Sequence, residues 1–466
     1  MKKSPNILYI LIDDLGWKDV SCYGSEFYET PNLDRLAGKG MRFTDAYAAC
    51  PVCSPTRASI MSGKYPARLG LTNYIHVHNP GQQDRARLID APYIPFLDTK
   101  EKSIASTLHD NGYATWHVGK WHMGEKEYWP DRHGFEVNIG GCDHGHPKQG
   151  YFSPWNIPTL EDGPEGEYLT DRLTDEAIRL VESKEDRPFF LNLWYYTVHT
   201  PIQGKPELVA KYERKARALG LHKKKTFEEG EVHPKSETVN TRLRRRLIQS
   251  DPEYAAMVEC MDTNIGRLLK AIEDKGEADN TIVVFTSDNG GLATAEGSPT
   301  SNAPLNEGKG WMYEGGTREP LIIHWPGVTG ANSFCREPVT SPDFYPTILE
   351  MAGIEAMPDQ HCDGQSLVPL LKGGNFLDRE AIYWHYPHYG NQGGTPGSSV
   401  RAGDWKLIEF FEDGRRELYN LREDIGESKD LSGSRPEVTE RMHALLKNWR
   451  AEMEALEPEV NPDWPW

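Results

Sequence analysis

An α/β fold with a mostly parallel sheet is what this sequence predicts, followed by a smaller α+β unit with an antiparallel sheet. Three observations carry that reading. Short runs rich in β-forming residues are apolar nearly throughout, as parallel strands buried on both faces require. Helical periodicities lie between those runs, the alternation typical of α/β folds. After residue 370 the pattern changes to short strands in quick succession.

The runs are ILYILI (7–12), ATWHV (114–118), FFLNLW (189–194), TIVVFTS (281–287) and LIIHW (321–325). Helices are expected over 101–111, 170–183 and, most clearly, 252–275. In the last, Tyr254, Met257, Val258, Met261, Ile265, Leu268, Leu269 and Ile272 recur at helical spacing. Asp251 suits the N-cap, Pro252 the first helical position, and Gly276 the stop. Residues 205–249 interrupt the pattern. They are rich in Lys and Arg, poor in apolar residues, and read first as a solvated insertion, second as a wall for an anion site. "LLKGGN" reads as a linker. Strands follow at 381–386, 398–410 and 415–421, then a helix at 436–454. The expected division is 1–370 and 371–466.

Composition excludes several classes. Of 466 residues, 38% are hydrophobic and 10% aromatic, including 13 Trp, 21 Tyr and 14 Phe, which is ample core material and excludes wholesale disorder. The net charge of -18 argues against nucleic-acid binding. Mean hydropathy is -0.65, and no apolar run approaches the roughly 18 residues that would span a bilayer. Seven cysteines, an odd number, do not make a disulfide scaffold. Cys50-Pro51-Val52-Cys53 alone reads as a redox pair or half a zinc site, but no second pair follows. The apolar run after Met1-Lys2-Lys3 is too short for a signal peptide and ends in two aspartates. The expectation is a cytoplasmic protein, or a periplasmic or secreted one if a leader has been removed. No N-x-[ST] sequon occurs, and P-loop, GxGxxG, HExxH and GxSxG patterns are absent.

Four polar clusters share one placement, just beyond a strand: Asp13-Asp14, Lys120-Trp121-His122, His199 and Asp288-Asn289. Ligands of open parallel sheets bind outside the carboxyl ends of the strands, so the clusters are expected to converge on one edge. Asp13, Asp14, Asp288 and Asn289 supply hard oxygen ligands, which favour Ca²⁺ or Mg²⁺ over Zn²⁺. The alternative is independent polar turns that never meet.

Cys53-Ser54-Pro55-Thr56-Arg57 is a C-x-P-x-R motif. With "PNILYILIDDLG" (5–16), "TPNLDRLAGKGMRFTDAY" (30–47), "GKWHMG" (119–124), "HTP" (199–201), "SDNGG" (287–291) and "KGWMYEGGTREPLIIHWPG" (309–327), it resembles the type I sulfatase family over essentially the whole chain. The segment "ASIMSGK" after the motif departs mildly from the family's Thr-Gly-Arg ending.

The resemblance implies an alkaline-phosphatase-like sheet sandwiched by helices. It implies that Cys53 is converted to formylglycine by a formylglycine-generating enzyme or anaerobic maturase, giving a hydrated aldehyde as nucleophile and a covalent sulfo-enzyme intermediate. One Ca²⁺ would be held by Asp13, Asp14, modified Cys53, Asp288 and Asn289. Arg57, Lys120 and Lys309 match positions that hold the nucleophile or the sulfate. His122 matches the base that releases the covalent sulfate, and His199, helped by Lys309, the acid that protonates the leaving oxygen. A further polar side chain that relatives offer to sulfate has no clear match in 140–152. The implied function is hydrolysis of sulfate monoesters, expected of a sulfated carbohydrate attacked at a chain end. A broad aryl sulfatase, a phosphatase or phosphonate hydrolase of the same superfamily, and a non-catalytic scaffold are the alternatives. Candidate substrate contacts are His78, His144, His146, His385, His388 and Arg401, with the loop 384–401.

Overall fold

The computed structural model describes residues 4–75, 86–234 and 242–464. Nine strands of these residues form the main sheet. Across it lie Ser333–Cys335, Met41–Tyr47, Arg318–His324, Thr281–Ser287, Asn6–Ile12, Phe189–Trp194, Ala114–Gly119 and Val137–Ile139, with Val339–Thr340 also paired to Met41–Tyr47. Asn6–Ile12 lies parallel between Phe189–Trp194 and Thr281–Ser287. Arg318–His324, read in sequence as one more parallel strand, runs antiparallel to both neighbours. The sheet is therefore mostly, not wholly, parallel.

Alternation along the central strand explains its unbroken apolar run. Leu8, Ile10 and Ile12 face one core, with Leu173 and Ala177 of the helix Leu169–Glu182 and Ile265 and Leu268 of Pro252–Asp274. Ile7, Tyr9 and Leu11 face the other, with Ile60 and Met61 of Cys53–Ser62 and Ile348 of Phe344–Ala352. Helices thus cover both faces. Asp251 caps Pro252–Asp274 through bonds from the Glu253 and Tyr254 amides.

Ile382–Tyr386, Gly397–Ala402, Trp405–Phe410 and Arg416–Asn420 form a separate antiparallel sheet. The run 398–410, read as one strand, is two, joined by a turn at Gly403 and Asp404. One face packs Trp384, Tyr386 and Ile408 against Tyr47 and Val52, and the other packs Leu407 and Leu418 against Met442 and Leu446 of Pro436–Glu452. A buried charge cluster stitches this sheet to the main one. Lys406 Nζ lies 2.9 Å from both Glu314 and Glu427, and the Glu314 amide donates to Glu427 at 2.7 Å.

Within the basic stretch, the described residues 205–234 and 242–249 form regular elements. They hold the helix Pro206–Ala218, with Tyr212 buried, and the hairpin of Phe227–Val232 and Arg242–Arg246, with Arg246 buried.

Candidate active site

The strand ends bring the polar clusters together. Ile12 pairs in register with Ser287, so Asp13 and Asp288 leave the sheet side by side. The Asp14 amide donates to Asp288 Oδ1 at 3.2 Å, and the Asp13 amide to the Thr197 carbonyl at 3.0 Å. The Lys120 amide donates to the Trp194 carbonyl at 2.7 Å. Asp14 and His122 both adopt left-handed backbone, with φ of 61° and 58°. Such conformations persist in non-glycine residues where surrounding contacts over-determine them.

Cys53 is the first residue of Cys53–Ser62, a helix buried along its full length. Helical spacing puts Arg57 one turn further on the same face. Arg57 donates from Nε to Asp288 Oδ2 at 2.8 Å and from Nη1 to the Lys120 carbonyl at 2.9 Å. Lys120 Nζ lies 2.6 Å from Asp13 Oδ2, and Lys309 Nζ 2.8 Å from Asp14 Oδ2. Asn289 Nδ2 donates to Asp14 Oδ1 at 2.8 Å. Burial pushes the Asp13 carboxyl well up, with Lys120 opposing and Asp288 and Asp14 adding repulsion. Burial would raise Asp14 too, but the Lys309 ammonium above all, with Lys120, outweighs it and holds it low.

Each histidine has its tautomer fixed by a backbone carbonyl. His122 Nε2 lies 2.8 Å from the Ile75 carbonyl, which can only accept, so that nitrogen carries the proton. Nδ1 then presents its lone pair to Cys53 Sγ at 3.3 Å. His199 Nδ1 lies 2.9 Å from the Thr200 carbonyl, leaving Nε2 to accept from Lys309 Nζ at 2.9 Å. Burial holds both imidazoles neutral, well below the ordinary histidine pKa, with Lys120 adding to the effect at His122 and Lys309 at His199.

Among the described residues, three buried side-chain atoms here have no hydrogen-bond partner: Asp13 Oδ1, Asn289 Oδ1 and Arg57 Nη2, the first and last facing each other at 3.9 Å, beyond hydrogen-bond reach. Buried polar groups are almost always paired, so two bare acceptors and one bare donor at one site call for ligands. Asp13 and Asp14, with His199, also offer ligand atoms within 4.8 Å of one another. Hard oxygens in this number fit a divalent cation such as Ca²⁺, and the bare guanidinium nitrogen fits an anion.

Cys53, His122, His199 and Lys309 line one cavity of about 930 Å³. From 140–152 it receives Asp143, Gly145, His146 and Lys148. His146 lies parallel to the His199 ring at 5.9 Å. Phe96 and Tyr128, stacked at 4.1 Å, form another part of the wall, which Tyr74, Glu296, Asn391 and Gln392 continue. Sequence reasoning missed Ile75, which acts through its carbonyl, and Glu296, which no motif marks. Of the proposed substrate contacts, His146 lines the cavity and His144 does not. His385 is buried between Ser398 and the Leu456 carbonyl, His388 is buried on Thr72, and Arg401 pairs with Asp45. None of these three lines the cavity. His78 lies outside the described residues. From the loop 384–401, Asn391 and Gln392 reach the cavity. Gly310, at φ 81°, and Gly394 hold that loop in place. A Cβ on Gly394 would sit 1.9 Å from the Gly310 carbonyl oxygen, and one on Gly310 would sit 2.6 Å from Gln392 Oε1.

Comparison with known proteins is consistent along the chain. Residues 5–354 match the family model described as Sulfatase, and residues 307–454 match the one described as N-sulphoglucosamine sulphohydrolase, C-terminal. The chain is 33% identical to a sulfatase of Formosa agariphila, over 96% of its own length and 89% of the relative's. It is 32% identical to the N-acetylgalactosamine-6-sulfatase of Homo sapiens, over 82% and 68% respectively. The crystal structure of Ps i-CgsB in complex with k-i-k-neocarrahexaose superposes with a TM-score of 0.77 at 29% identity, covering 99% of this chain and 95% of that one.

Proposed function

This chain belongs to the sulfatase family, whose members hydrolyse sulfuric esters, and from that premise we propose that it removes sulfate from a saccharide, at a chain end or on a short oligosaccharide, with Cys53 converted to formylglycine. The observation that carries the mechanism is the Cys53–His122 pair: Sγ, standing in for the oxygens of the hydrated aldehyde, faces the bare Nδ1 at 3.3 Å.

In the first step one hydroxyl of the hydrated aldehyde, having lost its proton to solvent, attacks as an alkoxide: its oxygen forms a bond to sulfur, the ester S–O bond breaks, and the departing alkoxide takes a proton from the Lys309–His199 pair. In the second, His122 Nδ1 takes the proton of the remaining hydroxyl, the C=O bond forms, and sulfate leaves with the electrons of its C–O bond. Water then restores the hydrate. Asp13, Asp14, Asp288 and Asn289, with the modified Cys53, would hold one Ca²⁺, which when bound supplies Lewis acidity and orients the sulfate. Arg57, Lys120 and Lys309 match the three aspartates in charge. A dication added with an anionic ester and an ionised nucleophile keeps that balance.

A saccharide is supported by the cavity volume, the Phe96–Tyr128 face and the substrates named for relatives. A net charge of -18 disfavours a long track for a polyanion. On this reading residues 1–370 are the catalytic unit and 371–466 a subdomain that edges the pocket through Asn391 and Gln392. A formylglycine-generating or anaerobic maturase is the required partner in synthesis. The test compares kcat/KM on sulfated mono- and disaccharides, intact sulfated polymer and an aryl sulfate. Preference for the small saccharides is expected. Turnover of aryl sulfates alone would overturn the saccharide assignment, and preference for internal polymer sites the pocket model.

A further inference from the structure

The basic stretch that reads as an insertion anchors, without itself lining the cavity, a turn that forms part of the pocket wall. The Arg246 amide donates to the Ala293 carbonyl at 2.9 Å, Ser298 Oγ donates to the Arg244 carbonyl at 2.7 Å, and Arg246 Nε donates to the Ser298 carbonyl. Between these anchors Ala295, Glu296, Gly297 and Ser298 have φ of 56°, 47°, 90° and 46°. Three residues with a Cβ thus sit in left-handed backbone within one turn. Each is unfavourable, because Cβ crowds the following carbonyl, and such strain concentrates at functional sites.

The strained turn sets Glu296 into the cavity that holds Cys53, His122 and Lys309. Its Oε1 accepts from Gln392 Nε2 at 3.1 Å. Gln392 is 3% exposed and lines the same cavity. Its carbonyl is pinned by Thr294 Oγ1 at 2.8 Å and Trp311 Nε1 at 3.0 Å. The amide keeps a second N–H, and the exposed carboxylate keeps free lone pairs. A carboxylate bonded to Gln392 is an unexpected wall for a pocket that takes an anion. The sulfate charge is met deeper, by Arg57, Lys120 and Lys309. A second negative charge on the substrate near Glu296 would meet like charge in a confined space. A hydroxyl there would instead donate to the carboxylate and accept from the amide.

Building on the saccharide reading above, we propose that Glu296 and Gln392 are specificity-determining residues that bind a hydroxyl of the sulfated ring and reject substrates carrying a further anionic group beside it. The experiment measures kcat/KM of wild type and Glu296→Gln on a monosulfated hexose and the same hexose with a second sulfate. Each value is divided by that protein's own rate on an aryl sulfate. Glu296→Gln is expected to narrow the preference for the monosulfated sugar at least tenfold. Added salt is expected to erode that preference in wild type and not in the variant. An unchanged ratio in Glu296→Gln overturns the inference and leaves the saccharide reading standing. If wild type turns over the aryl sulfate and neither sugar, the saccharide reading fails and this inference fails with it.

Discussion

Lys309 donates to His199 at 2.9 Å, so the histidine expected to act as the acid faces the pocket with a lone pair while the lysine beside it carries the proton. Burial opposes the Lys309 ammonium, but the Asp14 carboxylate outweighs it and keeps the lysine charged. On the proposed mechanism the two side chains act as one proton-donating unit, with His199 relaying or sharing the proton that Lys309 holds.

Loss of either member should then slow the same step. His199→Ala and Lys309→Ala are each expected to lower kcat/KM for sugar or alkyl sulfates by roughly 10²–10⁴; His199→Ala should cost far less on an activated nitrophenyl sulfate, whereas Lys309→Ala, which also removes a cation that meets the sulfate, should slow both substrates, the poor leaving group more. The double variant should lose little more than the worse single one, since both serve one transfer. Equal losses on good and poor leaving groups would remove the acid role.

Cys53→Ser supplies one hydroxyl where the collapse step needs two on one carbon. Multiple turnover is expected to vanish, with a sulfated serine trapped at that position in stoichiometric reactions. Intact mass of active wild type should fall short of the sequence mass by about 18 Da, the change on converting Cys to formylglycine. Full activity with an unmodified thiol would exclude the mechanism.

Calcium is expected to bind once per chain and to raise Tm. At 100-fold excess over Kd the stabilisation is about 2.7 kcal/mol. Asp13→Asn and Asn289→Ala each alter one of the bare oxygens, and titration calorimetry should show weaker binding with the calcium-dependent rise in Tm reduced. An undiminished rise would place the ion elsewhere.

The Lys406 cluster predicts an alkaline loss of stability. Burial pushes Glu427 up to about 8, against Lys406 and with repulsion from Glu314. A carboxyl raised above its unfolded value contributes stability below the unfolded pKa and loses it as pH rises through the folded one. The window is thus from the ordinary glutamate range to about pH 8, and the loss is at most about 5 kcal/mol. Glu314, held at about 2 by Lys406 and Arg318 against its burial, has the opposite sign and loses its contribution on acidification. Tm of Glu427→Gln should fall less than that of wild type between pH 6 and pH 9, in buffers chosen to bracket about 8. Parallel curves would contradict this.

Much of the site was legible because chemistry sits where strands end. The runs 7–12, 114–118 and 281–287 are apolar nearly throughout, and the polar residues that follow each one mark the carboxyl edge without knowledge of pairing. The strand Met41–Tyr47 escaped notice because it alternates between buried and half-buried residues, so no continuous run marks it. Direction was illegible for Arg318–His324, because a strand buried on both faces has the same composition either way. His385 and His388 look like pocket residues in a loop of Gly, Asn and Tyr, and only the fold turns them inward. Glu296 carries no signal, because its role depends on a turn held by strand Arg242–Arg246, about fifty residues earlier.

The glycine contact behind the Gln392 loop limits how this pocket can diversify. A methyl group on Gly394 would strike the Gly310 carbonyl oxygen at 1.9 Å, and one on Gly310 would be strained at φ 81° and would push aside Gln392 Oε1 at 2.6 Å, displacing a residue that lines the pocket. Stepwise variation at Gly394 is closed to single substitutions, whether in natural descent or in laboratory selection. New substrate preferences on this side must come by exchanging Asn391, Gln392 or Glu296 on an unchanged backbone, or by replacing the two segments together.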